Sequence, residues 1–176
     1  MATRYGLDPA MLAGRILRPL LQYLDARVPG LWSPAAERLV LGTAMQESHL
    51  RYLKQIQGPA IGICQMERAT WQDLRRWLAR RHVLRHAIDD WAIGEPDADE
   101  MEGNLYYALA MCRAHYRRVP AALPPANLPG QLATYWKAHY NTAAGKGRVA
   151  DAMPHFVKAD AVFKDIDMKQ AQETAS

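Results

Sequence analysis

The chain has 176 residues, 49% hydrophobic and 23% charged, with 11 Gly, 11 Pro and a net charge of +4. These values fit one globular domain with a single core and exclude a disordered or collagen-like chain. No window offers the roughly eighteen apolar residues of a membrane span, and the mild positive charge admits an anionic partner without choosing one.

From Asp8 to Val28, Leu12, Ile16, Leu20, Leu21 and Leu24 recur at helical spacing. Arg15, Arg18 and Gln22 interrupt the apolar run and no small-residue cleavage site follows. The segment therefore reads as an amphipathic helix, not a signal peptide, and work outside the cytoplasm would need another carrier. Pro29-Gly30 ends it. Ser33 is placed to cap a second helix, with Pro34 at its first position, running to about Leu50. Arg51 to Gln65, broken by Gly58-Pro59 and Gly62, reads as a compact loop or small hairpin. Thr70-Trp71-Gln72-Asp73 is a capping-box pattern, which predicts a helix starting there and burying Trp71, Leu74, Trp77 and Leu78.

Glu95 to Glu100 is an acidic loop, and a helix is expected from about Glu102 to Arg118 with Leu105, Ala108, Leu109 and Cys112 inward. The prolines from Pro120 to Pro129 mark a connector. Helices are expected at about Gly130 to Tyr140 and, after Gly145 and Gly147, at about Val149 to Phe163. The polar residues Asp167 to Ser176 are expected to fray. The expectation is a mostly α, compact single domain over 1–176, with its core at about 31–150. Cys64 and Cys112 are too few for a disulfide framework and should sit reduced and buried.

Glu47 is the candidate for chemistry. It lies seven positions after Val40 and three after Ala44, on the inward stripe of the second helix, and in its last turn. Burial and the negative end of the helix dipole both disfavour its charged form, as a general acid at neutral pH requires. The plainer alternative is a solvated carboxylate paired with Arg51 at i+4.

Three segments sharpen this. Glu47-Ser48 is followed by Gly58-Pro59-Ala60-Ile61-Gly62-Ile63-Cys64-Gln65-Met66, and much later by Tyr140-Asn141-Thr142 with Gly145 and Gly147. From about Ala35 to Gly147 the pattern resembles the lytic transglycosylase family with the goose-type-lysozyme-like fold. The Gly58-Pro59-Ala60 and Trp136-Lys137-Ala138-His139-Tyr140-Asn141-Thr142 versions are most similar to the transglycosylase-like proteins of tailed bacteriophages.

The resemblance implies a peptidoglycan glycan strand as substrate, no cofactor, and no metal. It implies Glu47 as acid and then base, and Tyr140 as the hydrogen-bond donor that orients it. Ser48, Gln65 and Met66 would lie along the sugar groove, Asn141 would contact sugar or brace the Tyr140 bond, and Gly62 would let backbone approach the glycan. The implied setting is a phage virion or host cell, acting on periplasmic peptidoglycan, with other virion proteins as further partners. The family's usual serine before the Gly-Ala segment is absent, with Gln55 and Gln57 nearby, and Cys64 replaces an apolar residue.

Between Arg51 and Met66 there is no Asp or Glu. A retaining hydrolase needs a second carboxylate about 5 Å from the first. Its absence here favours a single-acid route, and the resemblance implies a 1,6-anhydro product. Asp89, Asp90, Glu95, Asp97 and Asp99 could fold back to supply one, leaving hydrolysis open.

Other groupings carry less. The basic set Arg75, Arg76, Arg80, Arg81 and Arg85 reads first as a solvated helix face, since Trp77 and Leu78 interleave it and no nucleic-acid motif accompanies it. Cys112 and His115, at i,i+3, lack a second ligand pair and read as a structural Cys and a surface His. Asp97-x-Asp99 starts like a calcium loop, but Glu102 stands where glycine is required. Cys64 and His139 are a conceivable nucleophile–base pair with nothing to orient the imidazole. The alternative functions are a virion structural or ejection protein that uses the fold as a scaffold, and a nucleic-acid-binding helical protein.

Overall fold

A computed structural model describes residues 5–141 and 145–175, which are mostly helical with no strands among them. The chain opens with a helical rod, α1, built of Pro9–Leu12, a π-helical turn at Ala13–Leu17, and Arg18–Arg27. Asp8 caps it, accepting from the Met11 amide. The π turn has a local cause. Pro19 cannot donate, and its ring clashes with an α-helical carbonyl four residues back. The wider turn, in which the Arg18 amide bonds the Ala13 carbonyl, accommodates it.

The second helix, α2 (Pro34–Ser48), starts as expected, with Ser33 Oγ accepting from the Ala36 amide at 3.1 Å. It is buried on all faces from Ala36 to Met45, so it is the axis of the core and not a one-sided amphipathic helix. It ends two residues earlier than expected, because His49 and Leu50 turn into left-handed backbone (φ 51° and 54°).

Around this axis stand α3 (Arg68–Leu78), α4 (His82–Asp89), the short α5 (Glu100–Gly103), α6 (Leu105–Arg117), α7 (Pro129–Trp136, continuing as a π turn over Lys137–Asn141) and α8 (Val149–Thr174). α2 packs most extensively against α8, which also packs on α7, while α6 meets α1, α2, α3 and α4. Gly42 makes the α2–α8 crossing close: a Cβ there would lie 2.5 Å from the Phe156 ring. Gly42→Ala therefore overpacks the crossing, at a cost of about 1–3 kcal/mol.

Two expectations fail for the same reason. α3 starts at Arg68, not Thr70, because Asp73 does not reach back as a cap; Arg76 and Arg118 hold its carboxylate. The last helix does not stop near Phe163 but runs to Thr174. Arg18 anchors that polar extension by hydrogen bonds to Asp167 Oδ1 at 2.7 Å and Gln170 Oε1 at 2.9 Å. In both cases a partner remote in sequence decides the local structure.

Candidate active site

Glu47 sits in the last turn of α2, at one wall of a cleft of about 650 Å³. Opposite walls come from the loop before α3 (Gln55, Ala60, Gln65, Met66), from Glu67 and Thr70 at the start of α3, from His115 on α6, and from Tyr140, Asn141 and the Gly145–Gly147 segment. Burial pushes the Glu47 carboxyl up to about 7, and a hydrogen bond from Trp136 opposes the rise. That bond runs from indole Nε1 to Glu47 Oε1 at 2.9 Å. Oε1 is thereby held, and the neutral carboxyl keeps a transferable proton near neutral pH.

The loop that faces Glu47 is held by backbone. Ile61 and Met66 exchange amide-to-carbonyl bonds of 3.0 and 2.9 Å, and the Gln55 amide donates to the Ala60 carbonyl at 2.9 Å. Gln65 has φ 49° and spends its side-chain amide on the carbonyls of Tyr52 (3.0 Å) and Gly62 (2.8 Å). What Gln65 offers the cleft is its carbonyl oxygen. Met66 is 3% exposed and lines the cleft as an apolar wall.

Four expectations carried by the family resemblance need correction. Ser48 does not reach the groove: it is fully buried, with Oγ donating to the Ala44 carbonyl at 2.9 Å and accepting from the Leu50 amide at 3.1 Å. It terminates α2. Gly62 (φ 76°) brings backbone close to protein, not to glycan, since a Cβ there would lie 2.7 Å from the Met101 carbonyl oxygen. Tyr140 does line the cleft, but its phenol donates to the Cys64 carbonyl at 2.8 Å, so it ties the α7 end to the loop instead of orienting Glu47. Asn141 accordingly has no Tyr140–Glu47 bond to brace; it lines the cleft with Oδ1 held by Lys137 Nζ at 2.8 Å. Thr142, part of the same motif, lies outside the described residues.

His115 is buried, not a surface residue. Its Nε2 bonds the His139 carbonyl at 2.8 Å and its Nδ1 lies 3.2 Å from Arg118 Nη2. A carbonyl only accepts and a guanidinium only donates, so the ring is the neutral Nε2–H tautomer. Burial agrees, pushing its pKa down to about 4. The pKa of the Cys64 thiol is raised well above its ordinary value by a hydrogen bond with Cys112 and by burial, which leaves it a poor nucleophile; the His139 ring packs on Tyr135, with 4.4 Å between ring centroids.

Trp136 and Glu67, like His115, are residues that sequence reasoning left without a role. The available signal was that Trp136 stands in the motif segment; the structure adds that its indole is fully buried, so its N–H needs an acceptor. Glu67 falls one residue beyond the acid-free window. The remoter acids are engaged elsewhere: Asp89 by Arg75, Asp90 by Tyr23, and Asp97 and Asp99 by Arg68. None of these, nor Glu95, is among the cleft-lining residues.

Among the described residues no three His, Cys, Asp or Glu side chains group as a metal site, and no helix is long and apolar enough to cross a membrane. No protein-family model, curated protein or solved structure matches the chain.

Proposed function

We propose that the cleft cleaves the β-1,4 bond between N-acetylmuramic acid and N-acetylglucosamine in peptidoglycan, as a lytic transglycosylase of lysozyme-like fold. The observation that carries this reading is the carboxyl of Glu47: buried, without a cationic partner among the described residues, and protonated up to about pH 7 in a cleft with polar walls. It donates a proton to the glycosidic oxygen as that bond breaks. The ionised carboxylate then takes the proton of the muramyl 6-hydroxyl as that oxygen closes on C1, and a 1,6-anhydro end results. The Gln65 carbonyl and the Asn141 amide are available to the sugar's amide and hydroxyl groups.

Glu67 gives the competing outcome a specific basis. It is exposed and lines the same cleft, so a water activated there would produce a reducing end by hydrolysis.

Mass spectrometry of purified murein after incubation tests both readings. Anhydro ends are expected, and Glu47→Gln should lower their yield by about a hundredfold or more, since the amide cannot donate the proton. Reducing ends that vanish in Glu67→Gln would replace transglycosylation with hydrolysis. Turnover unchanged in Glu47→Gln would remove the whole proposal.

A further inference from the structure

A cationic track lies beside the cleft, along the same two helices. Thr70 lines the cleft, and Asp73 and Trp77 follow it on the same face of α3, about 10 Å further along for Trp77. From α6, His115 lines the cleft and contacts Arg118, which lines two hollows beyond it. These hollows, of about 540 and 630 Å³, share Trp77, Arg81 and Arg118, and add Arg76, Arg80 and Arg117.

Their charge is one-sided. Among the described residues that line them Asp73 is the only carboxylate, and Arg118 and Arg76 already hold it. Among the described residues no carboxylate pairs with Arg80, Arg81 or Arg117, all exposed. Arg81 is nevertheless fixed: its guanidinium lies 3.8 Å from the Trp77 ring centroid and donates to the Trp77 carbonyl at 2.8 Å. A guanidinium held in place loses little freedom when it binds a carboxylate.

We propose that this track holds the acidic peptide branches of the same glycan strand whose backbone lies at Glu47, an inference that rests on the reading of the cleft given above. A muramyl strand carries short peptides with free carboxylates, and the track is one helical turn from the cleft along both helices, from Thr70 to Asp73 and from His115 to Arg118. The hollow flanked by Val28, Val119 and Pro120 offers apolar surface to the short side chains of such branches.

The test is co-sedimentation of full-length E47Q with intact murein, with murein stripped of its peptides by an amidase, and competition by duplex DNA. The expected result is binding about tenfold tighter to peptide-bearing murein, weakening with salt. Arg80→Glu with Arg117→Glu should abolish that preference and spare binding to stripped glycan, while Lys at both positions should retain it. Equal binding to the two glycans, or indifference to the charge reversal, overturns the track. So does DNA binding as tight as that to peptide-bearing murein and lost in the same variant. Failure to bind either glycan instead overturns the reading of the cleft itself.

Discussion

Glu37 and Glu47 stand on the same helix, both largely withdrawn from water, and both accept an indole N–H: Glu37 from Trp32 at 2.8 Å, Glu47 from Trp136 at 2.9 Å. Their surroundings differ in one respect that decides their use. Glu37, in the first turn, is gripped by Arg18 through bonds of 2.7 and 2.9 Å. Glu47, in the last turn, has no such cation beside it among the described residues: burial raises its pKa and the indole alone opposes the rise. The helix dipole favours charge at the first position and disfavours it at the second. A buried carboxylate with an arginine is a structural ion; without one it becomes a proton store.

Exchanging the two losses gives the largest contrast. Glu47→Gln should abolish murein cleavage with the fold intact. Glu37→Gln strands Arg18 in the interior with only Asp167 and Gln170, and should cost about 3 kcal/mol in urea unfolding, the lower end for breaking a buried pair. Cleavage per folded molecule should persist. If Glu37→Gln is the inactive one and Glu47→Gln the unstable one, the assignment of roles is reversed.

The pH dependence of stability separates them next. Because the folded carboxyl of Glu47 titrates near 7 and its ordinary value is 4.5, both states are protonated at lower pH and Glu47→Gln should match the wild type there. Between these values the unfolded chain ionises first, so wild-type stability falls as pH rises. Above pH 7 the difference should level off with Glu47→Gln more stable by about 3 kcal/mol. Denaturation midpoints at pH 4 and pH 8 measure it, and an equal gap at both would mean that Glu47 is not desolvated.

Trp136→Phe sharpens the Glu47 side. The indole bond lowers the carboxyl's pKa, so its loss should move the alkaline limb of the pH–rate profile upward by about 0.4–1 unit. A profile that only drops in height would mean the ring does nothing but fill space. Tyr140→Phe is the smallest change: it removes the bond to the Cys64 carbonyl, so about 1 kcal/mol of stability should go while the pH profile stays where it is. A moved profile would put the phenol back on Glu47.

What could be read from the sequence was local. Ser33 and Pro34 announced α2 because a cap and its helix are neighbours, and the position of Glu47 at the end of an apolar stripe announced its burial. The start of α3, the length of α8 and the true partner of Tyr140 depend on residues far along the chain. Asp73 answers to Arg118, Asp167 to Arg18, and the phenol to a carbonyl 76 positions away. Trp136 reaches Glu47 across 89 positions, so its role became legible only when α7 was laid beside α2. Ser48 misled because a hydroxyl beside a candidate acid suits a binding role as well as it suits ending a helix.

The π turn that closes α7 gives the cleft a wall set by chain length as much as by side chains. A π turn is an α-helix that has taken in one extra residue. Lys137–Asn141 therefore sits one count out of phase with the helix before it, and Tyr140 and Asn141 face the cleft in that phase. Deleting a single residue there would rewind the segment and swing both side chains by about 100° around the axis, past the cleft, with Trp136 still at its post.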